Sequence, residues 1–324
     1  RAIPTPVAPG RSEEGSERKD VYLNQTHGAS MKTVIKKDLY AQVTDSIIAM
    51  MEKGKTSHLT WARTGHGIPC NHKTGGAYQG INVLLLWSEA VANGYTSDRW
   101  LTYKQATELG GQVRKGEKSV TCVFFKTLER ASQAESNDSE KSESFRVIKP
   151  FWLFNLDQID GIDKPQAIGA LNEFQQIEAA ENVLTQSGAI IHEAGDRAFY
   201  RPSTDAIHMP ERIRFSSPIE FYSIALHELS HWTGAKHRLA RDFSGRFGTE
   251  AYAFEELIAE LGSAFLNAEL GFSSVTIPNH AGYIEGWLKI LKNDKRAIFT
   301  AASQASKAHQ YIMNLVESAK SAAA

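Results

Sequence analysis

The pentapeptide His227-Glu228-Leu229-Ser230-His231 constrains this chain more than any other segment. On a helix, residues i and i+4 share one face, so the two imidazoles converge. Imidazoles so placed hold one Zn²⁺ at about 2.0–2.1 Å, and the glutamate beside the first can take a proton from metal-bound water. The flanks support a helix. Ser217 suits the N-cap, Pro218 the first helical position, and Glu220 completes a capping box. The helix is predicted to run to about Gly234, and Ile224, Leu226 and Trp232 make it apolar.

Two histidines need a third protein ligand. A second helix is predicted over Glu250–Leu270, where Glu256 and Glu260 lie four apart on one face and Glu255 points about 100° away. No third histidine stands at metzincin spacing. The pattern is similar to gluzincins, in which a glutamate on a later helix binds the metal and an acid four residues on supports a histidine. That likeness implies Glu256 as ligand and Glu260 as support; the spacing leaves the reverse open. Zn²⁺ is the expected cofactor, with another divalent metal such as Mn²⁺ also suitable. Glu228 is the candidate catalytic base of a peptidase. Tyr252, Tyr222, His208 and His237 are candidates by type for a second electrophile, and Ala206–Met209 for an edge strand pairing with an extended substrate. His66, Cys70 and His72 lack a fourth ligand and read as a plain loop.

The remaining sequence predicts an α+β protein of two domains. Its 324 residues are 42% hydrophobic and 23% charged, enough for two cores. Residues 1–30 read as a flexible leader, 31–154 as the first domain, 155–170 as a linker and 171–324 as a zincin-like domain. No apolar run reaches the roughly 20 residues of a membrane helix, and two cysteines imply no disulfide framework. A cytoplasmic protein without a membrane partner is expected. The net charge of −1 conceals an asymmetry: residues 31–150 carry +5 and 151–324 carry −6.

The basic half interleaves aromatics with cations, a composition suited to single-stranded nucleic acid, where bases stack on rings and cations track phosphates. Trp61, Arg63, Tyr78, Arg114, Lys115 and Lys118 fall in loops or turns and are the candidate DNA contacts. Trp87, Trp100, Phe124 and Phe125 are read as core. The acidic, serine-rich stretch 129–144 reads as a long loop.

The chain resembles the ArdC-type antirestriction proteins of conjugative plasmids. The residues that carry the resemblance in the first half are Asn71, Thr74 to Asn82, Trp100 to Tyr103 and Gly110 to Lys118. In the second half they are His227 to Gly234, Arg238-Leu239 and Glu255 to Leu261. The first half is also similar to the N-terminal region of TraC-like conjugative primases. The resemblance implies an N-terminal domain that binds single-stranded DNA and a C-terminal zincin-like metallopeptidase domain. It further implies protection of incoming plasmid DNA from restriction in a bacterial recipient, with a restriction-enzyme subunit or another protein as possible substrate. A second reading is an occluding DNA-binding protein whose metal site is structural.

Overall fold

The computed structural model describes residues 38–54, 67–130, 143–164, 173–243, 249–272 and 280–323. The first domain holds α1 (Leu39–Gly54), β1 (Cys70–Asn71), α2 (Ile81–Asn93), β2 (Arg99–Leu101), α3 (Tyr103–Glu108), β3 (Gln112–Val113), β4 (Val120–Arg130), β5 (Glu143–Asn155) and β6 (Ile159–Asp160). Gly94 ends α2 in the left-handed conformation, φ 66°, where a missing Cβ removes the strain. Thr102 and Gln105 form a reciprocal capping box at α3. The sheet order is β1-β2-β5-β4, so β4 is an outer strand. β4 and β5 pair antiparallel from Val120↔Leu153 to Arg130↔Glu143. The strands thus reach into both ends of the stretch expected to be a loop, whose residues 131–142 lie outside the described residues.

The second domain holds α4 (Glu173–Ser187), β7 (Ile190–Glu193), β8 (Phe199–Arg201), β9 (Ala206–Met209), α5 (Pro218–Trp232), α6 (Glu250–Glu269), α7 (His280–Asn293) and α8 (Ala297–Ala323). Its sheet runs β7-β9-β8. Ala206–Met209 is therefore the central strand and not the expected edge. Its main chain is engaged on both sides, and Ala206, Ile207 and Met209 are buried. The outer strand next to the metal-motif helix is β8.

The start of the expected linker is built into the first domain. Asn155 caps a 3-10 turn at Leu156–Gln158, and β6 pairs with β3. Asn155, Leu156, Gln158 and Ile159 are buried. Polar residues there serve caps and turns, which composition alone does not distinguish from a tether. Residues 165–172, the leader 1–30, Trp61, Arg63 and His66 lie outside the described residues.

The two domains share a hydrophobic core. Val43, Ile47 and Met51 of α1 and Leu84 and Trp87 of α2 pack with Leu257, Leu261 and Phe265 of α6, Trp287 of α7 and Ile298 of α8. A second cluster joins α4, β9, α5 and the ends of α6 and α8. No described helix is long and apolar enough to cross a membrane.

Candidate metal centre and basic surface

Helix α5 starts as predicted at Ser217, whose Oγ accepts the Glu220 N–H at 3.2 Å. The other half of the predicted box differs: the Glu220 carboxylate accepts from the Ser216 N–H and hydroxyl. Helix α6 is capped by Thr249, which accepts from the Tyr252 N–H. The two helices touch where Gly262 meets Ser230. A Cβ on Gly262 would stand 2.9 Å from Ser230 Oγ, so the glycine lets α6 bring its acids to the histidines.

Two buried helix faces meet in one donor set. One ligand atom each of His227, His231 and Glu256 lies within 4.8 Å of the others. Glu256 Oε2 is 3.5 Å from His227 Nε2, and its Oε1 is 3.5 Å from His231 Nε2. The remaining ring nitrogens face other carboxylates: His227 Nδ1 is 3.6 Å from Glu260 Oε2, and His231 Nδ1 is 3.2 Å from Glu255 Oε1. His227 Nδ1 is buried and has no hydrogen bond at that length.

Burial disfavours an imidazolium, yet the flanking carboxylates outweigh it. Glu256 and Glu260 hold His227 well above the ordinary imidazole value, and Glu255 and Glu256 raise His231 to about 9. Burial likewise pushes Glu256 up, but the two histidines hold it well below the usual carboxylate range. Two imidazoles and a carboxylate converging in a buried pocket fit a divalent cation, which would take the place of the imidazole protons. Among the described residues this is the group of three that could hold a metal ion.

On the sequence alone, Glu255 has a direction on its helix but no partner, and Arg241 has no role. Arg241 is almost fully buried and donates through Nε to Glu255 Oε2 at 3.0 Å and through Nη2 to Oε1 at 2.9 Å. It also donates to Thr233 Oγ1 and the Ser230 carbonyl. The turn after α5 makes room through Gly234, whose Cβ would lie 2.5 Å from the Phe243 ring and 2.8 Å from Arg241 Nη2. Next to it, Arg238 lies 3.7 Å over the Trp232 ring and pairs with Asp205.

A cavity of about 710 Å³ contains the cluster and Glu228. Phe199 and Tyr200 of β8, Phe215 and Ile224 line it, as does Tyr252. The other electrophile candidates do not. Tyr222 donates to Glu181 and accepts from Arg212, His208 stacks on Phe199, and His237 faces Asp205.

In the first domain, Trp87 and Trp100 are core as expected, whereas Phe124 and Phe125 are 44% and 47% exposed. Adjacent strand residues point to opposite faces: Phe125 meets the Tyr40 and Phe299 rings on one face, and Phe124 meets Phe151 on the other. Tyr78 is half-buried, and its hydroxyl accepts from Asn71 Nδ2 at 3.1 Å. Arg114 is paired with Glu117 and Asp160. Lys115 and Lys118 are exposed.

The sequence matches two family models: the N-terminal domain of anti-restriction factor ArdC over residues 37–154 and a zincin-like metallopeptidase over 178–304. Protein y4eC of Sinorhizobium fredii is 44% identical over 276 residues, 83% of this chain and 90% of the relative. DNA primase TraC of Escherichia coli is 38% identical over 296 residues, but the chain spans only 27% of that relative's length. The metal-free crystal structure of antirestriction ArdC from the R388 plasmid is similar with a TM-score of 0.73 at 40% identity. That likeness covers 87% of this chain and 98% of that one. The Mn(II)-bound structure of the same protein gives 0.71 at 40% identity, with 86% and 98% covered.

Proposed function

We propose, on the premise that the chain belongs to the ArdC antirestriction family, that it binds single-stranded DNA and protects incoming plasmid DNA from restriction, using a metal-dependent peptidase site in its second domain. The observation that carries the second part is the convergence of His227, His231 and Glu256 in the cavity that also holds Glu228. Those three would hold the ion, Zn²⁺ or, as in the R388 relative, Mn(II). When bound, the ion activates water and polarises a carbonyl.

The chain's own groups do the rest. Glu228 is the base that takes a proton from the attacking water and passes it to the leaving amine. Glu255 and Glu260 orient the ring nitrogens turned away from the ion. The outer edge of β8 offers main-chain groups to an extended peptide, while Phe199, Phe215 and Ile224 receive an apolar side chain. Tyr252 is the cavity group suited to meet the developing oxyanion. The DNA-binding part is supported by the +5 charge of residues 31–150 and by the likeness to a DNA primase.

The test is transfer of restriction-sensitive DNA into restricting recipient cells that express wild type or Glu228→Gln. Protection by wild type and its loss in Glu228→Gln are expected. Full protection by a folded, metal-binding Glu228→Gln would contradict the proteolytic part and favour occlusion of the DNA.

A further inference from the structure

We infer that the outer half of the β4–β5 hairpin, where Tyr78, Phe151 and Phe124 stand in ring contact beside Lys126 and Lys149, is the platform on which single-stranded DNA stacks its bases. The inference rests on the single-stranded-DNA reading above and assigns that reading a surface.

Register defines the platform. Val120↔Leu153, Cys122↔Phe151, Phe124↔Lys149 and Lys126↔Val147 are successive pairs on one face. The inner positions Val120, Cys122 and Leu153 are buried with Leu86 and Trp100. Beyond them no element among the described residues covers the face, and Phe124 is left 44% exposed. The rings continue one another. Tyr78 and Phe151 stack with centroids 6.4 Å apart, and Phe151 and Phe124 follow at 6.1 Å. Asn71 fixes the Tyr78 hydroxyl from behind. β4 is the sheet's outer strand, so the row lies at a rim.

Charge selects the occupant. From Val120 to Lys126 and across to Val147, the charged residues on this face are Lys126 and Lys149 alone. Both are exposed and neither makes an ion pair among the described residues. Rings flanked by cations without carboxylate partners suit bases joined by phosphates. A duplex keeps its base faces stacked internally, so an aromatic row favours a single strand.

The experiment is fluorescence anisotropy with labelled oligo-dT across a salt series, on full-length wild type, Phe124→Ala, Phe124→Trp and the double variant Lys126→Gln/Lys149→Gln. Thermal melts and sedimentation accompany each titration. Phe124→Ala is expected to weaken binding about tenfold with an unchanged salt slope, and Phe124→Trp to restore it. The lysine double variant is expected to reduce the slope of log K against log salt by about 1.4. If wild type binds oligo-dT and all variants match it, the platform is wrong while DNA binding stands. If wild type binds no single-stranded DNA, both fail. Self-association abolished by Phe124→Ala, with oligo-dT affinity intact, would assign the face to a second copy of the chain and overturn the proposal.

Discussion

Arg241 grips Glu255 through two N–H···O bonds of 2.9 and 3.0 Å, and Glu255 in turn meets His231 Nδ1 at 3.2 Å. The turn that follows the metal-motif helix is thereby tied to the orientation of one of its histidines. All three groups are buried, so removing one partner strands the others. Arg241→Ala is expected to cost about 3–5 kcal/mol, because it leaves the Glu255 carboxylate without its cation. Glu255→Gln keeps the shape but leaves the buried Arg241 cation without its carboxylate, so it should also destabilise the fold, and in addition weaken Zn²⁺ or Mn²⁺ affinity by about 10–100-fold. Calorimetric melts of the metal-free protein and metal titrations separate the two effects.

Gly234 is needed for that close approach. An added methyl would sit 2.5 Å from the Phe243 ring and 2.8 Å from Arg241 Nη2. Gly234→Ala is expected to cost about 1–3 kcal/mol and to lower metal affinity in the same direction as Glu255→Gln. A denaturant melt with a metal titration on one sample checks both, and wild-type values in each would refute the packing argument.

Asp157 supplies an acid limb to stability. Burial raises its carboxyl, but Lys164 and the Thr96 and Ser97 groups outweigh burial and hold it at about 2, against an ordinary 3.8. A depressed folded value means that the stabilisation is full above the unfolded value and is lost as pH falls through the folded one. Discounted for solvent screening, it is about 1 kcal/mol. Between pH 5 and about 2, wild type should lose that much more stability than Asp157→Asn, measured by urea melts.

Asn82 closes the free edge of β4. Its side chain accepts the Val123 N–H at 2.9 Å and donates to the Val123 carbonyl at 2.8 Å. Unpaired edge groups invite pairing with another chain. Asn82→Ala should cost about 1–3 kcal/mol and raise concentration-dependent association, which light scattering reads.

The sequence carried the metal helix because its signals are local: Ser217, Pro218 and the i, i+4 histidines lie within one element. It also carried the Glu256 and Glu260 pair, which share a face of α6. The partner of Glu255 was hidden because a single helix reports only angles about its own axis. That His231 lies opposite Glu255 depends on how α5 crosses α6. Two adjacent glutamates in an apolar helix were nonetheless a signal, since burying both requires two sets of partners, and Arg241 is one. Phe124 and Phe125 had a similar signal: with period-2 alternation, neighbouring rings are both buried only where both faces are covered. The order β7-β9-β8 was not legible, because pairing across a short three-strand sheet is not encoded in any one strand.

Peptide-bond cleavage tests the central claim most directly. Wild type and Glu228→Gln, each loaded with one equivalent of Mn²⁺ or Zn²⁺, are incubated with recipient-cell protein extract and oligo-dT, and new amino termini are identified by terminal labelling. Specific new termini from wild type, and none from a Glu228→Gln variant that binds metal equally well, are predicted. The same termini from both, or none from metal-loaded wild type, would contradict a peptidase built on His227, His231, Glu256 and Glu228.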